Sequence, residues 1–283
     1  MPTKKIPSVA EFQKLILDNY QAHGRSFPWK ETRDPYAILV SEIMLQQTQT
    51  ERVIPKYTAW LAMFPTVHAV ANAQLPEILA MWNGLGYNRR AKFLFEACKL
   101  LSDIIIRTGQ FPLTAQELET LPGIGHYTAR AVVTYAFNNA ELFIETNIRS
   151  VFLFFFFQER LQAEPYTPVH DNELFPLIEK TLYKKDPRTW YYALMDYGAE
   201  LKKTVKNPNR KSKHYAKQST FDGSIRQARG AIIRQLTKSS NALTLDAISH
   251  AENIDYNRIQ KASELLCAEK FIKKQDDLYS LYT

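Results

Sequence analysis

Apolar positions recur three and four residues apart along most of this chain, the spacing of one buried helix face. Val9–His23 puts Phe12, Leu15, Ile16 and Tyr20 on one stripe, and a turn with Phe27-Pro28-Trp29-Lys30 follows. Asp34-Pro35 opens a second helix, with proline at its first turn, that is expected to run to about Gln49. The same periodicity predicts helices over 53–64, 67–72, 76–82, 89–107, 115–120, 127–137, 171–183 and 187–201. The aromatic run Phe152-Leu153-Phe154-Phe155-Phe156-Phe157 belongs inside a core helix, buried on nearly every side. No stretch up to here alternates with period two for long enough to make a strand, so the fold class is all-α.

The pattern changes after residue 201. Lys202, Lys203, Lys206, Arg210, Lys211, Lys213 and Lys217 fall within the sixteen residues 202–217, which hold no acid. Such a run is either a solvated linker or a segment that tracks a phosphate backbone. Helices are then expected over 224–236, from Leu245 behind a Thr244 cap, and over 255–269. Residues 271–281 alternate around Asp276-Asp277, a hairpin signal. Three helices and a terminal hairpin describe a small winged-helix unit, which either contacts DNA or packs as a module. The expected organisation is 1–201 as a helical domain, 202–222 as a basic linker and 223–283 as the winged-helix-like domain.

Leu121-Pro122-Gly123-Ile124-Gly125 punctuates the helical part, with Thr128 in the first turn of the helix that follows. The glycines allow a tight turn with bare backbone, and the N–H groups of such a turn at a helix start suit a nucleic-acid phosphate. An ordinary helix–helix turn has the same residues. A formal net charge of +7 and a pI near 9.2 favour a polyanionic partner. The two cysteines, Cys98 and Cys267, are too few for a four-cysteine metal site. The first residues show no signal peptide and no apolar stretch is long enough to cross a bilayer, so the expected compartment is the cytoplasm, at the nucleoid in a bacterium.

Two carboxylates stand out. Glu42 interrupts the apolar run Ile38-Leu39-Val40-Ser41-Glu42-Ile43-Met44-Leu45. Burial disfavours its charged form and suits a general acid; the other reading is pairing with a buried cation. Gln46, Gln47, Thr48 and Gln49 follow, long polar side chains fit either to reach base edges or to solvate a helix end. Glu145, before Thr146 and Asn147, caps a helix or serves as the ionised partner of Glu42. One protonated and one ionised carboxylate suit glycosidic cleavage through an oxocarbenium-like state.

Several of these segments, in collinear order over roughly residues 25 to 200, resemble MutY-type adenine DNA glycosylases of the helix-hairpin-helix superfamily. They are Trp29-Lys30, Asp34-Pro35-Tyr36, the Ser41–Gln49 run, Val53-Ile54-Pro55, Phe64-Pro65-Thr66, Trp82-Asn83-Gly84-Leu85-Gly86-Tyr87, the glycine turn and Leu194-Met195-Asp196-Tyr197-Gly198-Ala199. The resemblance implies a two-lobed helical protein that extrudes the target nucleotide. It assigns Glu42 as general acid at adenine N7, Glu145 to the family's cation-stabilising aspartate, Asn147 beside it, and Trp29, Lys30 and Asp196 to the base pocket. By the same resemblance Gln46 and Gln47 are expected to enter the duplex, and Tyr87 with the glycine turn to add DNA contacts. Tyr127 stands where bifunctional relatives such as endonuclease III carry a Schiff-base lysine, which implies base release without strand cleavage. Thymine–guanine mismatch glycosylases also resemble the chain, with arginine expected in place of the glutamine pair.

The sequence departs from that family in three ways. Glu145 is one methylene longer than aspartate. The four cysteines of the family's iron–sulfur cluster align with Lys202, Asn209, Ser212 and Gln218, so no cluster is expected, while a monovalent cation at the hairpin remains compatible. The winged-helix unit stands where the family has a MutT-like domain that recognises 8-oxoguanine. The expected function is a monomeric, monofunctional glycosylase of base excision repair, acting on double-stranded DNA with a mismatch or damaged base and on no membrane. Adenine opposite guanine or 8-oxoguanine is the expected target. The alternatives are thymine, uracil or another modified base opposite guanine, or a non-catalytic lesion binder.

Overall fold

The computed structural model describes residues 6–163, 167–217, 220–239 and 241–282. Among these the chain is helical but for one hairpin, and it divides into two compact units. No helix there is long and apolar enough to cross a membrane.

The first unit comprises Met1–Ile38, Leu113–Glu119 and Ile124–Lys217. Its helices are α1 (Val9–His23), α7 (Ala115–Glu119), α8 (His126–Phe137), α9 (Thr146–Phe156), α10 (Gln158–Ala163), α11 (Asp171–Thr181) and α12 (Pro187–Thr204), with the start of α2 (Pro35–Leu45). Ser8 and Glu11 form a reciprocal capping box that starts α1. Phe12, fully buried on its inner face, meets Phe152, Phe155, Phe156 and Trp190 edge to face at 5.0–5.7 Å and joins α1, α9 and α12. The aromatic run of α9 is less buried than its composition suggests. Phe152 and Leu153 are enclosed, whereas Phe154 to Phe157 are partly exposed where the helix ends.

Residues 202–217 are folded back onto this unit. α12 continues to Thr204, and the 3₁₀ turn Pro208–Lys211 packs on α9. Val169 and Ser212 form a parallel bridge, with the Lys213 N–H donating to Val169 O at 3.0 Å. Asn209 and Ser212 are buried, while Lys203, Lys206, Arg210, Lys213 and Lys217 stay exposed.

The second unit comprises Leu39–Pro112, Thr120–Gly123 and Gln218–Thr283. The remainder of α2 is joined by α3 (Thr50–Met63), α4 (Val67–Ala71), α5 (Leu75–Trp82) and α6 (Arg89–Thr108) around the fully buried Trp60 and Trp82. α13 (Ile225–Lys238), α14 (Leu245–Glu252) and α15 (Tyr256–Ala268) follow, with β1 (Ile272–Gln275) antiparallel to β2 (Leu278–Leu281). Leu243 adds a third, one-residue strand by exchanging both backbone hydrogen bonds with Tyr279, which completes a winged-helix arrangement. α13 packs on α5 within the same unit. Glu269 at the end of α15 accepts from both Arg89 and Arg229, and Arg89 above all holds its carboxyl down at about 2.

α2 ends at Leu45, four residues before the end expected from the pattern. Gln47 turns the backbone with φ 54°, and Gln49 is already the N-cap of α3. The cause is distant in sequence. Arg90, 9% exposed, points its guanidinium at the carbonyls of Ile43 and Met44 (2.9 Å each) and Gln46, and at those of Leu85 and Gly86 (3.1 Å each). It thus satisfies the open end of α2 and stitches it to the Gly84–Gly86 loop. Burial lowers its pKa to about 10, which leaves it charged at neutral pH. Arg90→Met would leave these carbonyls without a donor, and we expect a loss of about 3 kcal/mol or more, read as a lowered urea midpoint. An unchanged midpoint would show that other donors replace it.

Candidate functional site

Glu145 is built into the first unit by its position ahead of α9. Its side chain accepts from the N–H groups of Asn147 (2.5 Å) and Ile148 (2.8 Å), as an N-cap does, and from Asn147 Nδ2 (3.3 Å). Burial pushes its pKa up; the Ile148 N–H, the nearby Lys202 ammonium and the Asn147 N–H pull the other way. Lys202 donates to Asn147 Oδ1 at 2.6 Å, and burial lowers its own pKa. Glu145, Asn147 and Lys202 therefore form one network. Lys202, read from the sequence as the first residue of a basic run, is a member of the carboxylate's environment.

The close packing of α12 against the start of α9 makes that network possible. A Cβ on Gly198 would lie 2.3 Å from Asn147 O, so only glycine lets the two helices approach this far. Arg149, one turn into α9, is held by Asp171 at 2.7 Å and reaches Asn209 Oδ1 at 3.4 Å, fixing the base of the same helix. Tyr127 sits in the first turn of α8, half-buried, with its ring edge-on to Phe143 at 5.6 Å.

Trp29, Lys30 and Asp196 also come together in this unit. Asp196 is buried and bridges Arg25 (2.7 Å) and Lys30 (2.8 Å), while Trp29 stacks on Phe27. Burial lowers the Lys30 pKa against the opposing pull of Asp196. Arg188 donates to Lys30 O (2.8 Å) and Thr32 O (2.7 Å), fixing the 3₁₀ turn Pro28–Lys30. Sequence periodicity gave no sign of Arg188 or Arg25.

Glu42 lies in the second unit, 4% exposed on α2 among Ile38, Leu39, Val40 and Ile43. The segment after it carries Gln47 and Gln49 exposed and Gln46 and Thr48 half-buried, with Thr48 Oγ1 accepting from Arg90 at 3.1 Å. Tyr87 has φ 49° and meets the guanidinium groups of Arg226 at 4.9 Å and Arg90 at 5.5 Å. In the glycine turn, Gly123 has φ 72° and a Cβ there would collide with Phe93 Cβ at 2.5 Å, so the turn requires glycine. Gly123 and Gly125 are exposed; Leu121, Ile124 and Thr128 are buried, which leaves backbone N–H groups as the accessible chemistry of the turn.

The family model for HhH-GPD superfamily base excision DNA repair proteins matches residues 40–212. The chain belongs to this superfamily. It is 37% identical over 174 residues to an adenine DNA glycosylase of Buchnera aphidicola, an alignment that covers 61% of this chain and 45% of that one. To the human adenine DNA glycosylase it is 32% identical over 216 residues, 73% of this chain and 38% of the relative. It thus spans less than half the length of either. Among solved structures, a thermostable thymine-DNA glycosylase superposes with a TM-score of 0.57 at 27% identity, over 68% of this chain and 86% of that one. A trapped endonuclease III–DNA intermediate gives 0.55 at 19% identity, over 69% and 87%, a likeness of fold.

Three of the four positions that the resemblance aligns with cluster cysteines lie among the described residues. Lys202 is bound to Asn147, Asn209 and Ser212 are buried against α9 and its bridge, and Gln218 lies outside the described residues. Cys98 is enclosed in α6, where burial raises its thiol to about 12, and Cys267 lies in α15. Among the described residues no group of three His, Cys, Asp or Glu side chains is placed to hold a metal.

Proposed function

We propose that this HhH-GPD protein is a monofunctional DNA glycosylase that hydrolyses the N-glycosidic bond of an extruded adenine mispaired with guanine or 8-oxoguanine. The observation that carries the reading is Glu42, a carboxyl enclosed in an apolar helix that the family match includes. Buried in this way, it donates a proton to purine N7. The C1′–N9 bonding pair leaves with the base, and the deoxyribose becomes an oxocarbenium ion. Glu145, as the carboxylate, stabilises that cation, and water adds to C1′ and gives up a proton to solvent, from which the Glu42 carboxylate is reprotonated. Asn147 orients Glu145 through its N–H and side-chain amide. Tyr127 offers no amine for a Schiff base, so the product is an abasic site in an unbroken strand.

The remaining parts of the proposal are a monomer that works in the cytoplasm without an iron–sulfur cluster. The two cysteines of the sequence and the occupied side chains at Lys202 and Asn209 support the last point. The likeness to a thymine-DNA glycosylase favours thymine opposite guanine as the second substrate.

An excision assay over duplexes with defined mispairs and deaminated or oxidised bases tests the reading. Release of adenine opposite guanine or 8-oxoguanine is expected, and borohydride added during the reaction should trap no covalent complex. Release of no base from any duplex would reject the enzyme, and efficient trapping would reject the monofunctional mechanism.

A further inference from the structure

The first turn of α6 is assembled against its own charges. Arg89, Arg90 and Lys92 stand in it with no acidic residue, and the N-cap Asn88 makes no side-chain hydrogen bond. Cations at the positive end of a helix dipole, without a cap, favour fraying.

The compensating negative charge comes from the winged helix, 180 positions along the chain. Glu269 takes Arg89 on both carboxylate oxygens (2.5 and 2.8 Å) and Arg229 of α13 on both as well (2.7 and 2.9 Å). Its backbone carbonyl accepts from the Lys92 ammonium, which lies 5.3 Å from the centre of the Phe271 ring. A single exposed pair contributes little, but this carboxylate is 18% exposed and is gripped by two forked guanidinium groups.

Arg90 points the other way. Its guanidinium donates to the carbonyls of Ile43 and Met44, the two residues that follow Glu42 on α2. Glu269, the first turn of α6, Arg90 and the end of α2 are therefore one series of contacts, all within the second unit.

We infer that the winged helix is a positioning module for the proposed general acid: Glu269 fixes the first turn of α6, and Arg90 passes that constraint to the end of α2 and to Glu42. Glu269 is a positioning residue, and the tail serves the reaction through protein contacts. The part played by Glu42 rests on the glycosylase reading; the hold of Glu269 on α2 does not.

Exchange of backbone amide hydrogens, followed by mass spectrometry in the free full chain, reads that hold over residues 39–49. Glu269→Ala and Arg89→Ala should each speed exchange there about tenfold, and the double variant no more than Glu269→Ala alone. Glu269→Gln, of the same shape but uncharged, should fall between wild type and Glu269→Ala. Glu252→Ala, which removes the carboxylate that holds Arg234 and Gln235 within the winged helix, controls for lost stability. It should leave exchange over 39–49 within about twofold of wild type. In single turnovers at saturating enzyme, Glu269→Ala should release base about tenfold more slowly while duplex affinity falls by no more than about twofold, the split of a misplaced acid.

Unchanged exchange over 39–49 in Glu269→Ala would overturn the inference, and so would equal acceleration in Glu252→Ala, which would reduce the effect to global stability. Faster exchange with an unchanged rate would separate the end of α2 from Glu42 and reject it too. A loss of affinity as large as the loss of rate would place Glu269 on the DNA-binding surface instead. A wild-type chain that releases no base fails the proposed function, while the exchange results still decide whether Glu269 holds α2.

Discussion

Glu42→Gln is expected to lower base release by about 10²–10⁴-fold, the usual contribution of a general acid, while duplex affinity stays within twofold of wild type. The two side chains have the same shape, and position 42 is 4% exposed, so packing on α2 is preserved and only the transferable proton is lost. The deficit should appear in single-turnover rate constants measured at saturating enzyme. A variant that kept its rate would remove Glu42 from the chemistry and leave lesion binding as the function. A variant that lost DNA affinity would instead make Glu42 part of the scaffold.

The second large effect is a shift of the acid limb of the excision rate in Lys202→Met. In the proposed mechanism Glu145 must be ionised to stabilise the sugar cation, and burial raises its pKa above the ordinary glutamate value of about 4.3. Activity should therefore fall as pH drops through this raised pKa. Lys202 lowers it by its charge and holds Asn147 Oδ1 at 2.6 Å. Replacing Lys202 by methionine removes that pull, and the limb should move to higher pH by about one unit. Lys202→Arg should bring most of it back. The linkage has the opposite sense for folding. A carboxyl whose folded pKa is raised loses stability as pH climbs from its unfolded value to its folded one. Glu145 thus costs the fold something in the range where it serves the reaction, and Glu145→Gln should melt higher than wild type near neutral pH. An acid limb that stayed in place in Lys202→Met would assign Lys202 to DNA contact alone.

The basic segment shows how a linear reading misassigns residues that have several uses. Counted along the chain, Lys202 to Lys217 is a uniform run of charge. Folded, Lys202 turns inward to Asn147, Pro208–Lys211 packs on α9, and five of the other cations remain exposed. The arginines were harder to see. Arg89 and Arg90 stand in the first turn of α6, where the helix dipole disfavours cations. That misplaced charge was the available signal that both have partners elsewhere, and those partners are the end of α2 and Glu269.

Sequence alone determined most of the helices, the caps at Thr244 and Glu145, the hairpin around Asp276-Asp277 and the enclosure of Glu42. Each of these depends on residues a few positions apart, within reach of 3.6-residue or two-residue periodicity. The tertiary structure decided where α2 stops and what surrounds Glu145. Those outcomes join residues 47 positions apart at Arg90 and Ile43, and 55 apart at Lys202 and Asn147. Local pattern carries no record of contacts at such separations, because buried carbonyls and carboxylates are satisfied by whichever donor the packed chain brings to them.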